Sequence, residues 1–176
     1  MKWSPFNHGG KVFDLAHLHP CTLRYERPKE GNKAAEVYNV DVIFTLHCFS
    51  RELKPEETCD DALMYSDGYE SRVFDFRRYE LSKLLPAIIQ GLPNRKPYHN
   101  KNRRNFFTVE VVTEDGSTFE YDIFFKVKKK AKSQLEMIIE TAFVRDPSYG
   151  STRPGGKPIR FWIILHNTLN NKKIAT

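Results

Sequence analysis

Apolar and polar side chains alternate, position by position, along four stretches in the C-terminal half of the chain, 106–113, 118–128, 135–145 and 159–168. Successive side chains of an extended strand point to opposite faces, so a period of two assigns each residue to a face and leaves little freedom of register. One face collects Phe107, Val109, Val111, Phe119, Tyr121, Ile123, Phe125, Val127, Leu135, Met137, Ile139, Phe143, Ile159, Phe161, Ile163 and Leu165. The other collects Thr108, Glu110, Asp122, Lys126, Lys128, Glu136, Glu140, Arg160, Trp162 and His166. Burying the first set, at roughly 1.5–3 kcal/mol per large side chain, is the main force available to fold such a chain. Phe124, Ile138 and Ile164 fall among the polar set, so part of that face is expected to be covered.

Residues 114–117 (Glu-Asp-Gly-Ser) separate the first two stretches as a hairpin turn would. Upstream, 18–27 and 40–49 also have extended character, with 28–32 as a polar turn between them. Near-helical spacing of Tyr79, Leu81, Leu84, Leu85, Ile88 and Ile89 predicts one main helix over 77–90, with Pro86 as an internal blemish and Gly91 as its stop. The expectation is a single α+β domain over residues 1–176. It has an antiparallel sheet of four C-terminal strands, open to extension by the two N-terminal strands, packed on that helix.

Lys and Arg outnumber Asp and Glu by 28 to 22. This balance favours an acidic partner, nucleic acid first and an acidic protein second. No stretch approaches the roughly 18 apolar residues of a membrane span, and the N-terminus carries no apolar run. Three cysteines without CxxC spacing suit reduced thiols, so a cytoplasmic location is expected. Gly155-Gly156-Lys157 lacks the surrounding pattern of a phosphate-binding loop, which disfavours nucleotide hydrolysis.

Three groups of residues could carry chemistry. Glu110, Glu140, His166, Lys126 and Arg160 are all assigned to the polar face. A carboxylate and an imidazole there would act as base and acid on an RNA 2′-hydroxyl while the cations hold the phosphate, with no metal or cofactor. The competing reading is a solvated face with cross-strand ion pairs. A second group is basic and aromatic: Arg77 and Arg78 at the helix start, Arg95, Lys96, Tyr98, Lys101, Arg103 and Arg104 in the loop 94–105, and Trp162. Such residues grip a phosphate backbone while rings stack on unpaired bases. The third group is His17, His19, Cys21, His47, Cys48 and Cys59. Its spacing fits no zinc motif, and Cys48 shares a face with Phe44 and Leu46, which points to packing.

A helix followed by four antiparallel strands is similar, over about residues 79–168, to the element order of small metal-independent ribonucleases of the barnase and RelE-like toxin group. The resemblance implies RNA as the ligand and transfers no site residue. The first expectation is therefore a metal-independent RNA-cleaving or RNA-processing protein. The alternative is a non-catalytic module that binds nucleic acid or an acidic protein, such as an accessory or inhibitor protein of a mobile element.

Overall fold

A computed structural model describes residues 2–29, 31, 34–54, 56–99, 105–112, 118–144 and 156–174. In chain order the elements are β1 (Phe6–His8), β2 (Lys11–Phe13), β3 (Cys21–Arg27), β4 (Glu36–Phe44), β5 (Ser50–Arg51), β6 (Met64–Ser66) and β7 (Ser71–Phe74). Then come α1 (Phe76–Ser82), α2 (Leu85–Gln90), β8 (Tyr98–His99), β9 (Asn105–Val112), β10 (Thr118–Ala131), β11 (Gln134–Val144), β12 (Lys157–Pro158) and α3 (Phe161–Leu169). The fold is mixed α+β and dominated by its sheet.

Seven strands form the main sheet in the order β12-β8-β9-β10-β11-β4-β3. Two N-terminal strands do pair, with Arg27 opposite Glu36 and Tyr25 opposite Tyr38, but the strand expected over 40–49 starts earlier, at Glu36, and ends at Phe44, where a 3-10 turn Leu46–Cys48 follows. The pair joins through β4, which runs parallel to β11, so the sheet is not purely antiparallel. A hairpin of β1 and β2 and a small sheet of β5, β7 and β6 complete the strands.

The alternation places side chains correctly along β9 and β10: Phe107, Tyr121, Ile123 and Phe125 are buried together in the core with Leu135, Met137 and Ile139 of β11. Phe143 departs from the expected set. The pairing of β10 with β11 shifts by one between Phe124 and Phe125, because Glu140 is an extra residue between Ile139 and Thr141. Such a bulge reverses which face the following residues occupy. Ala142 therefore enters the core, and Phe143 stacks on Phe124 on the opposite face at 5.9 Å. Phe124 stacks in turn on Phe106, and Phe106 on Tyr98, giving a row of four rings across β8 to β11.

The expected fourth strand, 159–168, is instead the helix α3. The run Ile-Arg-Phe-Trp-Ile-Ile-Leu fits both periods, and its β-branched and aromatic residues favour a strand by propensity. Packing decides for the helix. Phe161, Ile164 and Leu165 are buried at helical spacing, with the Phe161 ring 5.1 Å from Tyr25 and 6.5 Å from Phe125. Its C-terminus is closed by a Schellman motif, in which Lys172 N–H donates to the Asn167 carbonyl at 2.8 Å and Asn171 N–H to that of Thr168 at 3.2 Å. Asn171 supplies the left-handed φ of 53° that the motif requires. This change also removes the element order on which the likeness to small ribonucleases rested.

The expected single helix over 77–90 is two helices, α1 and α2. Pro86 lies in the first turn of α2, where its missing N–H has no helical partner to lose, so it starts a helix rather than kinking one. Asp75 caps α1 by accepting from Arg78 N–H at 2.9 Å. Leu85 and Ile89 of α2 are fully buried, and the Tyr25 hydroxyl donates to the Ile89 carbonyl at 2.8 Å, which ties α2 to the same sheet face as α3. Among the described residues no helix is long and apolar enough to cross a membrane.

Candidate functional site

Where α3 lies along the β3–β4 end of the sheet, three segments meet: the last residues of β3, the first residues of β4, and the turn at 93–96 after α2. Because α3 buries Phe161, Ile164 and Leu165, its neighbouring positions Trp162, Ile163, His166 and Asn167 face outward on one side. They line a pocket of about 490 Å3 with Arg27, Ala34, Glu36 and Arg160. A second pocket, of about 480 Å3, is lined by Arg27, Pro28, Lys29, Pro93, Asn94, Arg95, Lys96, Arg160 and Trp162. The two share Arg27, Arg160 and Trp162 and so make one groove. Five cationic side chains, Arg27, Lys29, Arg95, Lys96 and Arg160, line it against the carboxylate of Glu36. Trp162 packs against Tyr38 with ring centroids 6.2 Å apart and stands between the two halves.

Glu36 is the hub of the first pocket. It accepts from the Tyr38 hydroxyl at 2.7 Å and from Arg27 at 3.1 Å, and its other oxygen lies 3.2 Å from His166 Nδ1. The Tyr38 hydrogen bond above all, with His166 and Arg27 adding to it, holds the Glu36 carboxyl below its ordinary acidity range. Tyr38 is pushed the other way, by burial first and then by its bond to Glu36. Tyr38 also lies 3.5 Å from His166 Nδ1, but its single proton is committed to Glu36. In neutral His166 the proton must then sit on Nδ1 and point at the carboxylate. Nε2 is left as the basic nitrogen, and among the described residues no hydrogen bond occupies it. The His166 side chain is 35% exposed, open to the pocket it lines.

The expected acid–base set does not converge. Glu110, Glu140 and Lys126 do project from the sheet face opposite the core, but Glu110 sits directly across from Glu120, six residues along β10 from Lys126. At roughly 3.3 Å per residue that is about 20 Å. Glu140, at the bulge, pairs with Lys126 at 2.5 Å. Lys128 pairs with Glu136 at 3.1 Å and Lys130 with Asp41 at 2.5 Å, so this face carries a ladder of cross-strand ion pairs. Gln134 and Thr22 add hydrogen bonds to Asp41, each at 2.8 Å. Lys130 first, then Thr22, keeps the Asp41 carboxyl below its usual range. His166 lies in α3 and Arg160 is the residue at its N-cap, on the other side of the sheet, so both are separated from Glu110, Glu140 and Lys126 by the sheet itself.

Residues 5–169 match the YjaZ family. The chain belongs to the YjaZ family. Protein YjaZ of Escherichia coli (strain K12) is 29% identical over 176 residues, an alignment that covers 98% of this chain and 94% of the relative. No solved structure matches. The span matched to the YjaZ family contains every segment that builds the groove, from β3 to His166 and Asn167.

Of the basic and aromatic candidates, Arg95, Lys96 and Trp162 line the groove of this YjaZ-family chain. Arg77 and Arg78 are elsewhere, in a pocket of about 420 Å3 beside Phe143. Arg77 lies 5.5 Å from the Phe119 ring. Arg78 donates to the carbonyls of Ser50 at 2.7 Å and His47 at 3.3 Å, a structural clamp on the turn after β4. Tyr98 is one of the four stacked rings. Lys101, Arg103 and Arg104 lie outside the described residues, as does the turn 114–117.

The histidines and cysteines are dispersed. His17 is in a short 3-10 turn, Ala16–Leu18, rather than on a strand with Cys21, and its Nε2 is 2.8 Å from Ser82 Oγ. Burial first, then Lys83, pushes the His17 imidazole toward its neutral form. His19 bonds the Trp3 carbonyl at 3.0 Å and His47 meets Glu70 at 2.7 Å. Cys48 is fully buried in the 3-10 turn Leu46–Cys48, and burial pushes its thiol up to about 12, which suits packing. Cys21 is exposed and Cys59 partly so.

Sequence reasoning missed Arg27, Lys29, Glu36, Tyr38 and Asn167 as site residues. A usable signal existed for two of them: pairing of the two N-terminal strands places the strand-end residues Arg27 and Glu36 opposite each other. Nothing in the pattern brings His166 to that pair, because the approach depends on α3 being a helix.

Proposed function

We propose that this YjaZ-family protein binds single-stranded RNA in the groove between α3, the β3–β4 end of the sheet and the turn at 93–96. The observation that carries the reading is the ring of Trp162 set among Arg27, Lys29, Arg95, Lys96 and Arg160. Lys and Arg displace counterions from phosphates, and an aromatic ring offers a stacking surface to an unpaired base, worth about 1–3 kcal/mol per base. A groove with an aromatic wall takes bases splayed from a single strand more readily than a duplex, whose bases are stacked and paired with one another. An acidic protein would use the cations but offers no base to stack on Trp162, so RNA is favoured.

Fluorescence anisotropy of a labelled single-stranded RNA against rising salt tests the reading. Engagement of four or five phosphates predicts log K falling with log salt at a slope of about −3, at roughly −0.7 per phosphate. Binding to an acidic peptide of equal charge with the same affinity, or no RNA binding at low salt, would overturn it.

A further inference from the structure

We propose that His166, oriented by Glu36, is the general base of a metal-independent RNA strand cleavage in the pocket beside Trp162. This rests on RNA binding in the same groove. Three features of the pocket carry it. The Glu36 carboxylate, itself fixed by Tyr38 and Arg27, receives the Nδ1 proton of His166 and so presents the lone pair of Nε2. A carboxylate orienting an imidazole in this way is the base-and-orienter part of a catalytic triad. Arg27 and Arg160 line the same pocket and stand where charge would build on a phosphate. Its volume, about 490 Å3, accommodates a nucleotide against Trp162.

The step balances without a co-reactant. Nε2 takes the proton of a ribose 2′-hydroxyl, and the 2′ oxygen forms a bond to the adjacent phosphorus. The bond from phosphorus to the 5′ oxygen breaks, and that oxygen leaves with the electron pair. The proton held by His166 returns through solvent to the 5′ oxygen. One strand ends in a 2′,3′-cyclic phosphate and the other in a 5′-hydroxyl.

The substrate for the test is a DNA strand carrying one central ribonucleotide, alongside its all-deoxy counterpart, with products identified by mass spectrometry and binding followed by anisotropy. Wild type is expected to cut the ribose strand to a cyclic phosphate and leave the all-deoxy strand intact. His166→Ala, assayed at saturating strand, is expected to slow cutting by about 10²–10⁴-fold. Glu36→Gln is expected to slow cutting less than His166→Ala does, through kcat rather than KM, because the amide no longer fixes the imidazole with Nε2 presented. An unchanged kcat in Glu36→Gln would overturn the role of Glu36. Wild-type protein that binds the strand and never cuts it, or that cuts equally well as His166→Ala, overturns the catalytic inference and leaves RNA binding standing. Failure of wild type to bind overturns both.

Discussion

On the solvent-facing side of the sheet, Lys126, Lys128 and Lys130 each meet a carboxylate across the strands, Glu140, Glu136 and Asp41 in turn. Along α3, Arg27, Lys29, Arg95, Lys96 and Arg160 line one groove in which Glu36 is the carboxylate among the described lining residues. The residue types are the same and the arrangement differs. In the ladder each lysine meets its own carboxylate on an open sheet face, so the charges cancel pair by pair and project little field. In the groove Arg27 is itself paired with Glu36, and what differs is geometry: five cations and one carboxylate are gathered in a concavity around a ring, a shape that focuses positive potential and would attract a phosphate chain. A charged sheet face is therefore a poor guide to function until its partners are known.

That contrast can be broken or sharpened by substitution, beginning with the largest effect. Phe161→Ala removes the buried ring that holds α3 to Tyr25 and Phe125. It should cost about 3–5 kcal/mol in chemical denaturation, whereas Ile163→Ala, at an exposed position of the same helix, should cost little. Equal costs would mean that α3 is not anchored through Phe161. Trp162→Ala should weaken RNA binding by about 1–3 kcal/mol and abolish the quenching of tryptophan fluorescence that accompanies it, measured where the variant is folded because the ring also packs on Tyr38 and Phe161. Affinity that survives the change would remove the ring from the site.

Glu36→Gln addresses the groove's own carboxylate. The Glu36 carboxyl is more acidic folded than unfolded, so its stabilising effect is present above the unfolded value and is lost as pH falls through the folded one. The variant should therefore melt below wild type at neutral pH, by at most about 1 kcal/mol after solvent screening, with the two curves converging in acid. A gap that widens in acid would contradict the hydrogen-bond arrangement. Smallest of all, Lys128→Ala in the ladder should change stability by less than about 0.5 kcal/mol and leave RNA affinity untouched.

Period-two patterning was a reliable guide where strands are half buried and regular, as at Phe107, Tyr121, Ile123 and Phe125. It failed at two kinds of place. At Glu140 a single inserted residue reverses the face of Phe143, and no local property of the Glu140–Phe143 run announces the insertion. At 159–168 the apolar run Phe161 to Leu165 satisfies both strand and helix periods, and only the packing of Phe161 on Tyr25 and Phe125, distant in the chain, selects the helix. The site suffers from the second failure. Arg160, Trp162 and His166 were singled out from the sequence, but as neighbours of Glu110, Glu140 and Lys126 on a strand. On α3 and at its N-cap they meet Arg27, Glu36 and Tyr38 instead. Choosing residue types was possible from the sequence, and choosing their partners required the fold.

The most direct test removes two positive charges from each region in turn, so that net charge changes equally. Arg160→Gln with Lys96→Gln strips the groove, and Lys128→Gln with Lys130→Gln strips the ladder. Anisotropy with single-stranded RNA is measured for both across a salt series. The groove pair should lose about tenfold or more in affinity and flatten the salt slope by about 1.4, while the ladder pair matches wild type in both. Equal losses in the two proteins, or a loss confined to the ladder pair, would show that general charge or the sheet face binds RNA and that the groove does not.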